Sequence, residues 1–215
     1  MHPPFAFPGD DAGVGTMRGP GRCGRRLGSR PVGLSVMAIG ATVHTFEIEL
    51  ADVDRGVYES LSLRVARHPS ETAPFMMTRV LAYCLEYAEG VDFGQGIAGT
   101  EEPAVMVKDL TGRIVTWIEI GQPEAERLHR GSRLADRTAV YTHRDPAKVL
   151  AGWEGKKIYG REDIVLTSFD PGFIEDTAAQ IERRNALTAS VTDGHLYLEI
   201  NGTSADTALH RHPLA

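Results

Sequence analysis

Cysteine is nearly absent: only Cys23 and Cys84 occur, far apart and in no metal-ligand spacing. This argues against a disulfide framework or a cysteine-built zinc site and suits a reducing compartment, the cytoplasm by default. Long apolar runs are also missing. No stretch approaches the length of a membrane-spanning helix and no apolar signal core sits near the start, so no membrane partner is expected. A basic excess is lacking too, since the chain carries a formal net charge of −6. Five arginines, Arg18, Arg22, Arg25, Arg26 and Arg30, against Asp10 and Asp11 give residues 1–36 a net of +3, which leaves −9 for the remainder. A body this acidic repels long duplex nucleic acid unless its basic groups gather in one groove, which argues against generic DNA coating.

What is present suffices for a core: 42% of the 215 residues are apolar. Residues 1–36, rich in Gly, Pro and Arg without periodicity, read as a disordered tail or as an extension upstream of a start at Met37. Alternation from Ala41 to Leu50 and from Val57 to Ala66 predicts two strands in a hairpin. Pro69 then ends the strand, and Ser70 or Thr72 caps a helix that runs to about Ala88, with Pro74 tolerated in its first turn. Its stripe of Met76, Met77, Val80, Leu81, Cys84 and Leu85 is core packing. Val91 to Thr100 reads as a loop whose glycines lack the Gly-Lys-Ser/Thr of a phosphate cradle.

Farther on, Pro123 opens a helix to about Leu134, with Arg127, Arg130 and Arg133 along one side. Thr138 to His143 and Asp163 to Ser168 read as strands, Pro146 to Gly152 as a short helix, and Pro171 to about Arg184 as a longer one. A hairpin turning at Asp193-Gly194 closes residues 187–200, and the chain from Gly202 onward is expected to fray. Hairpins at both ends around an alternating middle predict one α/β domain over residues 37–202, with a mixed central sheet flanked by helices and a flexible tail over 203–215.

The stretch from Glu101 to Gly121 organises the rest. Ala104 to Lys108 and Ile114 to Ile120 flank Asp109-Leu110-Thr111-Gly112-Arg113, an antiparallel hairpin. A turn centred on Thr111 and Gly112 places Glu119 opposite Ala104, with Glu102 its diagonal neighbour on the same face. Two carboxylates converging beside an apolar sheet need a divalent cation, a proton or a basic partner.

Arg67-His68-Pro69-Ser70-Glu71-Thr72, Met76-Met77, Glu101-Glu102-Pro103, Lys108-Asp109-Leu110-Thr111-Gly112 and Trp117-Ile118-Glu119-Ile120-Gly121-Gln122-Pro123 together resemble the YaeQ family of bacterial proteins, from about Met37 to Gly202. The resemblance implies a variant of the PD-(D/E)XK, restriction-endonuclease-like fold. It matches Glu71 to that fold's helical acid, Glu102 to its first strand acid with Asp109 as rival, and Glu119 to the acid of the returning strand. Gly121 stands where the pattern has Lys, so a cation would come from Arg127, Arg130 or Arg67. Strand geometry favours Glu102, because Asp109 lies about 16 Å along the strand at about 3.3 Å per residue.

Two functional expectations follow. In the first, Glu102 and Glu119 hold Mg2+ or Mn2+, Glu71 supports the ion, and Arg127 or Arg130 binds the phosphate of a nucleic-acid substrate during phosphodiester hydrolysis. In the second, the fold is retained as a non-catalytic binding or regulatory module, its carboxylates paired internally, Glu119 with Arg127 for example, and its surface engaging a protein partner or RNA. Ser70 reads as a cap with no His-Asp arrangement around it, His68 as a structural hydrogen-bond partner, and Trp117 and Trp153 as packing.

Overall fold

In the computed structural model, residues 40–94 and 101–214 are described. The expectations for residues 1–36 and for most of the glycine loop after Gly94 lie outside the described residues.

Alternation builds the first two strands as predicted. β1 (Thr42–Asp52) buries Phe46, Ile48 and Leu50 while Glu47 and Glu49 face water, and β2 (Val57–Arg67) returns antiparallel with Phe46 opposite Leu63. α1 (Ala73–Leu85) starts where Thr72 Oγ1 accepts a hydrogen bond from the Phe75 N–H at 3.2 Å. Burial extends beyond the predicted stripe, since every residue from Met76 to Leu85 is buried, including Arg79. The stretch expected to be a loop from Val91 begins instead with a short strand, β3 (Val91–Phe93), which pairs antiparallel with β4 (Val105–Lys108) of the hairpin that β4 forms with β5 (Ile114–Ile120). α2 (Ala125–Leu134), β6 (Arg137–Thr142), α3 (Pro146–Ala151) and β7 (Val165–Ser168) follow close to their predicted positions.

The structure then departs from three further expectations. The helix predicted from Pro171 to Arg184 is the short α4 (Phe173–Ala178). Thr177 Oγ1 donates back to the Phe173 carbonyl at 2.7 Å, and after it Asn185 fastens the chain to the Thr45 and Glu182 carbonyls. This pulls Arg184 into β8 (Arg184–Thr192), a parallel partner of β1, so sheet pairing overrides helix continuation. The tail expected to fray from Gly202 is ordered: after β9 (His195–Ile200) come β10 (Thr203–Ala208) and β11 (His210–Pro213). Asn201 and Gly202 both have positive φ, 50° and 83°, and form the tight turn that folds β10 back onto β9.

The third departure concerns the sheet. In place of one central mixed sheet there are two, in the orders β10-β9-β8-β1-β2 and β11-β7-β6-β5-β4-β3, each mixing parallel and antiparallel neighbours. One core joins the inner face of the five-stranded sheet, α1, α4 and one face of the six-stranded sheet through Ile118, Ile120 and Tyr141. A second core of Leu128, Val140, Val149, Trp153 and Leu166 lies between the opposite face of the six-stranded sheet and α2 and α3. The six-stranded sheet therefore presents two differently covered faces, and this decides which acids can meet.

Candidate functional site

The β4–β5 hairpin keeps the predicted register at its open end. Val105 faces Ile118 and Met106 faces Trp117, while a shift between Val107 and Lys108 absorbs the irregularity near the turn. Asp109 starts that turn, as predicted: its carboxylate accepts from the Thr111 hydroxyl at 2.6 Å and from the Thr111 and Arg113 N–H groups. The Thr111 hydroxyl and these N–H groups hold the Asp109 pKa below its ordinary value.

Along β5 successive side chains alternate faces. Ile118 and Ile120 join the α1 core, so Trp117 and Glu119 project toward α2. Trp117 reaches α2 because Gly131 has no side chain there; a Cβ would sit 2.6 to 2.9 Å from indole atoms. The indole Nε1 then donates to Glu119 Oε1 at 2.8 Å. Arg127, one turn into α2, donates from Nε to Oε1 at 3.0 Å and from Nη2 to Oε2 at 3.2 Å. It also donates to the Glu102 carbonyl at 2.8 Å. Glu119 is only 4% exposed, and burial pushes its pKa above the ordinary 4.5 while Arg127 and the two hydrogen bonds oppose the rise.

The structure thus brings Glu102, Glu119 and Arg127 together, with the guanidinium bridging one residue's backbone and the other's carboxylate. Arg130 lies on the more exposed side of the helix and pairs with Glu101 at 2.9 Å.

Glu71 is elsewhere. It precedes α1, on the other face of the six-stranded sheet from Glu119, and is 2% exposed. Arg79 Nη2 meets its Oε1 at 3.1 Å, the His68 N–H donates to Oε2 at 3.2 Å, and Arg67 Nε donates to its backbone carbonyl at 2.8 Å. Arg79 also donates to the Ala66 carbonyl at 2.8 Å and lies over the Phe93 ring. Burial raises the Glu71 pKa against the opposing charge of Arg79. The three acids that the resemblance matched are therefore not gathered in one place. Among the described residues, no group of three or more His, Cys, Asp and Glu side chains is placed to hold a metal ion.

At Gly121, the position of the expected Lys, φ is +80° and a Cβ would meet His143 Cε1 at 3.6 Å and the Phe75 ring at 3.8 Å. His143, whose pKa burial lowers, lines a cleft of about 350 Å³ with Thr142, Arg144, Phe169, Asp170 and Glu175. This cleft lies at the carboxyl ends of β6 and β7, the edge where open α/β sheets hold ligands, and no sequence motif pointed to it. Arg79 was missed as well, although a lone Arg inside the run Met76–Leu85 is a legible sign of a buried ion pair.

The family model for YaeQ protein matches residues 37–209. The chain is 30% identical over 164 residues to the uncharacterized protein YaeQ of Escherichia coli (strain K12), covering 75% of this chain and 90% of that one. Two crystal structures are similar. The YaeQ protein from Xanthomonas axonopodis pv. citri superposes with a TM-score of 0.72 at 28% identity, over 80% of this chain and 97% of that one. The YaeQ protein from Pseudomonas syringae does so with 0.71 at 32%, over 80% and 95%.

Proposed function

The chain belongs to the YaeQ family, and from that premise we propose that it is a nuclease-like fold, related to the PD-(D/E)XK group, that serves as a non-catalytic binding module. The observation that carries this reading is the occupancy of Glu119. Both carboxylate oxygens already accept hydrogen bonds from Arg127, and one accepts from Trp117 as well. A carboxylate desolvated and neutralised in this way is a poor ligand for a divalent ion, because three of its roughly four lone-pair positions are taken and a metal at the remaining one would sit as a second cation beside the guanidinium. With Glu71 on the far face, Glu102 and Glu119 alone would have to form the metal's carboxylate set. The net charge of −9 over residues 37–215 favours a protein over RNA as the partner.

The competing reading is hydrolysis by Mg2+ or Mn2+ held on Glu102 and Glu119, which requires Arg127 to leave Glu119 and take a substrate phosphate. Thermal unfolding separates the two. Millimolar Mg2+ or Mn2+ leaves the melting temperature of a non-catalytic module unchanged, as does the same titration of Glu119→Gln. A metal-dependent rise in the wild type that is lost in Glu102→Ala and Glu119→Gln would overturn the proposal, since a ligand that binds the folded state must stabilise it.

A further inference from the structure

Among the described residues the two sheets leave four edges, and three of them are short. β3 has three residues, β11 has four and ends in Pro213, and β10 has six. The fourth edge, β2, runs eleven residues from Val57 to Arg67, with no proline and an unbroken pairing to β1. An edge of this kind is a template for another strand.

Backbone direction shows which of its groups are open. Thr45 and Val53 of the β1 segment donate to β8-side carbonyls, so the odd-numbered residues of β1 bond β8 and the even-numbered ones bond β2. Their partners on β2 are odd-numbered, as in Phe46 opposite Leu63 and Leu50 opposite Glu59. The N–H and C=O groups of Tyr58, Ser60, Ser62, Arg64 and Ala66 therefore point away from the sheet. The Ala66 carbonyl is taken by Arg79 at 2.8 Å, which leaves Tyr58 through Arg64 as the open ladder among the described residues.

We propose that β2 pairs antiparallel with β2 of a second copy of this chain about a two-fold axis at Leu61, joining two five-stranded sheets into one. This rests on the edge alone and is independent of the role given to Glu119. Only an even register sum keeps inner faces together across such an axis, and the axis at Leu61 pairs every open residue with another open one: Tyr58 with Arg64, and Ser60 with Ser62. Arg64 of each copy then lies across from the 64% exposed Tyr58 of the other, a cation beside an aromatic ring. On the inner side Leu61 meets Leu61 and Val57 meets Val65, continuing the apolar surface of the existing core, while the exposed Glu59 lies opposite Leu63. Shifting the axis to Ser62 or Leu63 would set Tyr58 or Ser60 against Ala66, whose carbonyl is occupied.

Sedimentation of the full chain over a concentration series tests this, with two variants. Ser62→Pro removes an outward N–H while sparing the bonds to β1, and weakens dimerisation at least about tenfold while unfolding remains cooperative. Leu61→Cys in a Cys23→Ser background cross-links on oxidation, because residues on the axis face each other in a close, non-hydrogen-bonded pair, whereas Glu59→Cys does not. A wild type that stays monomeric at high concentration, a dimer indifferent to Ser62→Pro, or cross-linking at residue 59 in place of 61 would each overturn the proposal.

Discussion

Each face of the six-stranded sheet holds a buried glutamate paired with an arginine, and the two faces handle the pair differently. Under α1, Glu71 and Arg79 are both 2% exposed, and Arg79 Nε has no hydrogen-bond partner among the described residues. Under α2, Glu119 is equally hidden, but Arg127 keeps 24% of its side chain in contact with solvent and adds an indole and a backbone carbonyl to the arrangement. Desolvating both charges is costly unless every donor and acceptor is met. The α1 pair is thus a closed structural element. The α2 pair sits at the surface end of a hairpin, where a conformational change or a partner can reach it.

Removing the closed pair's cation should have the largest effect. Arg79→Met strands Glu71 in the core and is expected to cost about 3–5 kcal/mol in urea unfolding; a loss no larger than that of Arg127→Met would mean that the two faces are alike. Arg127→Met should cost less, about 2–3 kcal/mol, because its site is part-open and Trp117 remains bonded to Glu119. This variant also sharpens the comparison through pH. Burial already raises the Glu119 pKa, so its contribution to stability is fully present below the ordinary 4.5 and is lost as pH climbs through the elevated folded value. Without Arg127 that value rises further, so above pH 4.5 the stability of the variant keeps falling to a higher pH, and by more in total, than that of the wild type. An equal total loss over the same pH range would show that Arg127 does not hold the charge.

Two smaller effects probe the supports of each face. Gly131→Ala, which would help an ordinary helix, drives a methyl into the Trp117 indole and is expected to destabilise by about 1–2 kcal/mol, with a change in tryptophan fluorescence. Thr72→Ala, beside Glu71, removes the α1 cap and should cost about 1 kcal/mol by thermal unfolding.

Local patterns were legible wherever one periodicity or turn controls the backbone. The alternation around Phe46, Ile48 and Leu50, the stripe from Met76 to Leu85, the Asp193-Gly194 turn and the Ala104–Glu119 register could all be read from residue order, as could the pairing of Glu119 with Arg127. Sheet membership was not legible, because it depends on contacts far apart in sequence. Nothing near Arg184 announces that β8 will lie beside β1. The polar run Thr203–Ala208 hides a strand whose main-chain bonds supply the order, although Asn201-Gly202 carried the hairpin signal. The placement of Glu71 failed to emerge for the same reason: the motif gives the order of the acids along the chain, while the side of the sheet they occupy is set by how α1 packs.

The last strands have one more consequence. β10 belongs to the five-stranded sheet and β11 to the six-stranded one, with Leu209 packed on the first core and Leu214 buried in the second. Asp170 clamps the crossing by accepting from the Ala208 N–H at 2.8 Å and meeting His210 Nε2 at 2.7 Å. A protease that trims a few residues from this end would therefore loosen both halves of the molecule at once, and amide exchange should show them opening as a single cooperative unit.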